Sequence, residues 1–178
     1  MAKKYHLGRL AGLSLSLEPA FFIGTLILWV GLGGAGVVLL DLPFFQAILA
    51  GLVGTLLYWL TYLVHHLGHA YAARRTGYPM SGIRVGTYLF LGTSLYPREE
   101  DPLPAHIHIR RALGGPVGSF LFAILAGILA FLLRPLGEVF WWLATFVSLT
   151  SFVVFTLGSL LPLGFTDGST LLKWWGKR

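Results

Sequence analysis

Four stretches free of charged residues, at 20–40, 44–64, 112–133 and 139–161, constrain this chain more than anything else in it. Each reaches the length of about 20 apolar residues that a helix needs to cross a bilayer. Inside lipid every backbone N–H and C=O must find a partner within the chain, so stretches of this kind are helices. Composition agrees: 56% of the residues are hydrophobic, only 11% are charged, and the mean hydropathy is +0.75. A water-soluble domain carries about 25% charged residues, so a soluble globule is excluded, as is disorder. With no cysteine, a disulfide scaffold is excluded too. The expectation is an all-α integral membrane protein with four transmembrane helices, and the 178 residues suit a single membrane-embedded domain over 1–178.

The net charge of +6 does not point to nucleic acid, because the basic residues sit between the apolar blocks and read as topology signals. Lys3, Lys4 and Arg9 precede the first span, and Arg74, Arg75, Arg84, Arg98, Arg110 and Arg111 fill the connection between the second and third. Lys173, Lys177 and Arg178 follow the fourth, whereas the other two connections hold only Arg134, Asp41 and Glu138. Positive segments stay in the cytoplasm, which places both termini and the long middle connection there and requires an even number of spans. Leu–Ser alternation after Arg9, in place of an apolar run, argues against a cleavable signal peptide, so the first span is expected to be retained. Strict alternation over 13–18 reads as a half-buried strand. The β-branched and aromatic stretch at 83–95, broken by Gly86 and Gly92, reads as further strand. A small β element on the cytoplasmic side follows, with 97–102 as a solvated loop.

The chemistry lies in ionisable residues within or beside the spans. His65 stands about 32 Å along a helix that starts at Phe44, in the inner leaflet once tilt is allowed for. His65 and His69 are four residues apart, on one helix face, the spacing for two imidazoles on one metal ion. Asp167 follows Leu161 by six residues, which returns a carboxylate to the same layer. A haem would want one axial ligand from each of two helices, and the remaining candidates, His106 and His108, read as exposed or interfacial. A metal transporter would want polar ligands along a path across the bilayer, which the first and third spans lack. Trp141, Trp142, Trp174 and Trp175 read as interface anchors.

Three motifs carry a resemblance to the site-2 protease family of intramembrane zinc metalloproteases. His65-His66-Leu67-Gly68-His69, continued by Ala73 and Gly77, resembles that family's H-E-x-G-H-x-x-x-A-x-x-x-G helix. Gly114-Gly115-Pro116-Val117-Gly118-Ser119 is similar to its G-P-x-x-N element, and the stretch from Ser159 through Pro162 to Asp167-Gly168 is similar to its N-x-x-P…D-G element. Gly8 to Leu13 also resembles the short strand lead-in of small members, and the absence of a PDZ or CBS module implies the minimal membrane core. By itself, Gly114-Gly115-Pro116 reads equally well as a helix start.

The resemblance implies one zinc ion held by His65, His69 and Asp167. It also implies peptide-bond hydrolysis in or near a membrane-spanning protein or peptide substrate, with that substrate entering extended along the strand at 83–91. Where the family has its general-base glutamate this chain has His66, which can act as a substitute base or turn inward as a ligand. Ser119 and Ser159 occupy the family's asparagine positions. Losing a general base or a polar stabiliser each costs about 10²–10⁴ in rate. The expectation is therefore a zinc metallopeptidase of reduced activity. The alternative is a catalytically silent relative that binds transmembrane segments as a regulatory or interaction protein.

Overall fold

A computed structural model of the chain describes residues 4–97 and 100–177. Lys3, Arg98 and Arg178, counted above among the basic residues, lie outside the described residues, as does Glu99 of the expected 97–102 loop. Among the described residues, four helices are long and apolar enough to cross a membrane. Helix α1 spans Pro19–Leu40 and begins on a proline, whose missing N–H costs nothing in a first turn. It ends at Asp41 in the left-handed conformation (φ 51°). Helix α2 spans Phe44–Arg75, absorbing both the second apolar stretch and its expected continuation. Helix α3 spans Ala105–Leu133, and its first turns precede the apolar stretch. Gly114-Gly115-Pro116 is therefore the middle of a helix and not its start. Helix α4, Glu138–Leu149, passes without a break into a π-helix over Thr150–Gly158. Helix α5, Asp167–Trp174, closes the chain.

Two compact units are distinguished, Met1–Trp59 with Ser81–Leu95 and Leu60–Met80 with Tyr96–Arg178. The first holds α1, the start of α2 and a four-stranded sheet of order β1-β2-β3-β4, with β1 at Tyr5–Leu10, β2 at Leu13–Leu17, β3 at Gly82–Tyr88 and β4 at Leu91–Leu95. The outer pairs are antiparallel and β2 runs parallel to β3. The expected strands are present, but the break in 83–95 falls at Leu89 (φ 59°), while Gly86 (φ +81°) sits where the β3–β4 register shifts. Gly86 is required there: a Cβ would stand 2.5 Å from the Phe21 amide nitrogen of α1. Because β3 is paired along both edges, an extended peptide cannot add to the strand at 83–91 as expected. Among the described strands, the open edges belong to β1 and β4.

The second unit contains the rest of α2 with α3, α4, the π-helix and α5. Here α2 and α3 touch backbone to backbone. A Cβ on Gly68 would fall on the carbonyl of Gly114 and lie 3.3 Å from Gly115 Cα, and one on Gly118 would lie 3.1 Å from Gly68 Cα. Small residues at a crossing are what membrane helices use where lipid removes the hydrophobic drive to associate. Large apolar side chains point outward, Phe131 being 76% exposed on α3. In a bilayer that face meets acyl chains and not water. Because the Gly68 contact is with backbone, which cannot swing aside, Gly68→Ala should destabilise the fold by about 1–3 kcal/mol. Thermal unfolding in detergent should show a lowered midpoint, whereas Gly34→Ala on α1, where a Cβ meets open space, should leave it unchanged.

Candidate metal centre

His65 and His69 face the same way from adjacent turns of α2, both 5% exposed. Asp167 is the first residue of α5 and is carried to them by a turn tied to itself. The Gly164 amide donates to Ser169 Oγ at 2.6 Å, the Leu163 amide donates to Thr166 Oγ1 at 3.2 Å, and the Thr166 hydroxyl donates to the Leu161 carbonyl. Gly168 is required next, since a Cβ there would overlap the Leu160 carbonyl. The three side chains offer donor atoms within 4.8 Å of one another. His65 Nε2 lies 3.1 Å from His69 Nε2, and each lies 3.3 Å from one Asp167 oxygen.

These spacings test whether the group suits a metal ion. For bonds of about 2.0–2.1 Å, two ligands of a tetrahedral ion stand about 3.3–3.4 Å apart. The Nε2–Nε2 separation and the approach of each imidazole to its own carboxylate oxygen, His65 to Oδ2 and His69 to Oδ1, are of that length. The ring orientations agree. His69 Nδ1–H donates to the Arg111 carbonyl at 2.8 Å, which leaves its Nε2 lone pair aimed into the group, and His65 Nδ1 pairs at 3.0 Å with Ser119 Oγ, a hydroxyl able to accept from the same tautomer. The Gly115 amide also lies 3.2 Å from His69 Nδ1, a bond available only in the other tautomer. The carbonyl contact is shorter, and we assign the proton to Nδ1. Burial works to raise the Asp167 carboxyl, but the His69 and His65 imidazoles outweigh it and hold the group well below the usual carboxylate range. Without a metal that low value needs proton charge on the imidazoles, and a divalent ion taking the place of that charge would meet two nitrogens and an anion.

The remaining expected site residues fall in different places. His66 is buried, its ring lying against that of Tyr62 with centroids 4.2 Å and planes 30° apart, and its Nδ1–H donates to the Tyr62 carbonyl at 3.2 Å. Its ring centroid lies 5.4 Å from that of His65 and 5.9 Å from that of His69, beside the three-residue donor group but not in it. Ser119 is in contact with the site through His65. Ser159 instead donates to the Phe155 carbonyl of its own helix at 2.9 Å, with the Thr156 carbonyl 3.1 Å away.

Sequence reasoning missed two supports. Gly115 gives the imidazoles room, because a Cβ there would strike the His69 ring and approach His65 Cε1 to 2.6 Å. Its only signal was the Gly-Gly-Pro run. Arg111, counted above as a topology charge, is 4% exposed and forks onto Glu100, with Nη1 2.8 Å from one carboxylate oxygen and Nη2 bound to the other. Glu100 is thus no solvated loop residue. His108 is no idle surface group either: it stacks on Trp174, with centroids 4.2 Å and planes 7° apart.

The fold is shared with a solved structure, the site-2 protease from Methanocaldococcus jannaschii. The likeness has a TM-score of 0.65 at 20% identity and covers 96% of this chain and 70% of that one. No protein-family model matches the sequence, and no curated protein does. The chain thus has a site-2-protease-like fold, and its four spans make it an integral, multi-pass membrane protein.

If Ser119 fixes His65, Ser119→Ala should weaken metal affinity by about 10- to 100-fold, the usual cost of losing a partner one step behind a ligand. Ser159→Ala should leave it unchanged. Titration of the metal-free variants against a competing chelator separates the two. The hydrogen bonds from Arg111 lower the Glu100 carboxyl below its ordinary value of 4.5. A depressed carboxylate contributes stability that is complete above its unfolded pKa and is lost as pH falls through the folded value. The unfolding midpoint of Glu100→Gln should therefore lie below that of the native chain at pH 7. The gap should narrow as pH falls below about 4.

Proposed function

We propose that this chain is a zinc-dependent intramembrane peptidase of the site-2 type that hydrolyses a peptide bond in or near a membrane-spanning substrate, slowed by an imidazole in the general-base position. The observation that carries the reading is the convergence of His65 Nε2 and His69 Nε2, 3.1 Å apart, on the Asp167 carboxylate of α5, with one of its oxygens 3.3 Å from each imidazole. Zinc suits two imidazoles and one carboxylate, and a peptidase site of this kind keeps its fourth position open. A zinc ion there would polarise a peptide carbonyl and acidify water.

The chain's own residues account for the rest. Ser119 and the Arg111 carbonyl hold the two imidazoles in the tautomer that leaves Nε2 free. Burial of all three histidines excludes bulk water, which strengthens electrostatic interactions within the site. His66 has committed Nδ1–H to the Tyr62 carbonyl, so Nε2 is the atom that takes the proton of the attacking water and passes it to the leaving amine. Contact with Tyr62 limits how far that ring moves, and an imidazole lacks the two-oxygen reach of a glutamate. Ser159, at the other asparagine position, takes no part in holding the metal. Both termini and the connection between α2 and α3 face the cytoplasm in this reading, by the distribution of Lys and Arg.

A second reading is favoured by the same tether on His66: a relative that binds transmembrane segments without cutting them. A cleavage assay on a reporter transmembrane substrate, with bound zinc measured, decides between them. The peptidase reading expects about one zinc per chain in the native protein, His66→Glu and His66→Ala alike, with a base worth about 10²–10⁴ in rate. Native activity should fall at least tenfold in His66→Ala and rise in His66→Glu. Product only from His66→Glu would favour the silent relative, and zinc absent from every form would remove the peptidase reading.

A further inference from the structure

The side chain and the main chain of Arg111 do different things. The side chain is nearly inaccessible, at 4% exposure. Its guanidinium forks onto Glu100, donates to the Tyr78 carbonyl at 2.7 Å, and lies over the Tyr96 ring with its carbon 4.3 Å from the centroid. Tyr78 belongs to the segment leaving α2, while Tyr96 and Glu100 belong to the segment approaching α3. One guanidinium thus ties the opening turns of α3 to both segments. The main-chain carbonyl of the same residue accepts the Nδ1–H of His69 at 2.8 Å.

We propose that Arg111 and Glu100 form a positioning clamp for the metal centre: their ion pair fixes the turn of α3 whose carbonyl orients His69, so metal affinity depends on a salt bridge that touches no ligand. The inference rests on the metal reading given above. Three features support it. The clamp and the ligand contact share one residue, so a slide or rotation of this turn moves both. The Arg111 carbonyl and the Gly115 amide, one helical turn apart, both face His69 Nδ1, at 2.8 and 3.2 Å, so a sub-ångström shift changes which bond the imidazole makes and with it the tautomer. Finally, burying a guanidinium requires partners, and an apolar side chain would fill such a position at no loss of stability. A planar fork that holds three groups at once sets a geometry that simple packing does not.

The test uses the full chain in detergent, stripped of metal and compared with Arg111→Gln, Arg111→Lys and Glu100→Gln. Three quantities are measured: Zn²⁺ affinity by chelator competition, the visible absorption of the Co²⁺-loaded form, and the unfolding midpoint of the metal-free form. The clamp predicts that Arg111→Gln and Glu100→Gln lose about 10- to 100-fold in Zn²⁺ affinity and alter the Co²⁺ bands, which report ligand geometry. Arg111→Lys, which keeps the charge but not the fork, should recover part of the affinity. Variants with a lowered midpoint but native affinity and native Co²⁺ bands would show a purely structural ion pair and overturn the clamp alone. If Arg111→Gln does not fold, Glu100→Gln, at the edge of the cluster, decides the same question. A native chain that binds no stoichiometric Zn²⁺ would overturn the metal reading and the clamp with it.

Discussion

Two imidazole lone pairs facing each other at 3.1 Å, each 3.3 Å from a carboxylate oxygen, form an arrangement that a low-dielectric layer does not hold together without positive charge between them. Much of the second compact unit can be traced to supplying that convergence. Glycines at 68, 114 and 115 let α3 lie on α2 backbone to backbone, which brings a carbonyl to His69 and a hydroxyl to His65. The turn before α5 is tied to itself and delivers Asp167, and the glycine that follows, Gly168, lets α5 pack against the Leu160 carbonyl. None of these contacts is strong alone. Together they leave the three donor atoms little room to separate.

The fourth span contributes through its irregularity. Over Thr150–Gly158 the helix widens to the π form, and the Thr156 hydroxyl donates to the Ser151 carbonyl five residues back at 2.9 Å. Such segments are uncommon and gather at functional sites because the extra residue in the turn redirects the side chains that follow. Here Phe155 is 3% exposed, with its ring centroid 5.6 Å from that of His65 and 6.2 Å from that of Tyr62. It seals the apolar side of the imidazole pair. In the proposed peptidase reading, His66 is where this chain departs from the site-2 protease pattern: the general-base position would carry an imidazole whose Nδ1 is committed to the Tyr62 carbonyl.

Much of this was legible in the sequence because the bilayer is a strict solvent. Four charge-free runs gave four spans, and the distribution of Lys and Arg required an even number. Helical spacing placed His65 beside His69, and counting from Leu161 brought Asp167 to the same layer. What escaped depends on contacts between residues distant in sequence. Arg111 carries a charge and so resembled its basic neighbours, yet its partner Glu100 sits in a stretch whose prolines and acids suggested solvent. Gly115 is demanded by an imidazole contributed from α2, which no local pattern states. The π-helix and the start of α3 at Ala105 share this character, because hydropathy marks where lipid begins and not where a helix does. The sheet was half visible. Alternation revealed β2, but the pairing that puts β3 in the interior and leaves β4 at the edge is set by topology.

X-ray absorption at the zinc edge of the purified native chain probes the central claim most directly. The account requires one zinc per chain with two imidazole nitrogens and oxygen ligands at about 2.0–2.1 Å. It also requires the imidazole contribution to remain at two when His66 is replaced. A coordination shell of three imidazoles, or a native chain with no stoichiometric zinc to observe, would contradict it.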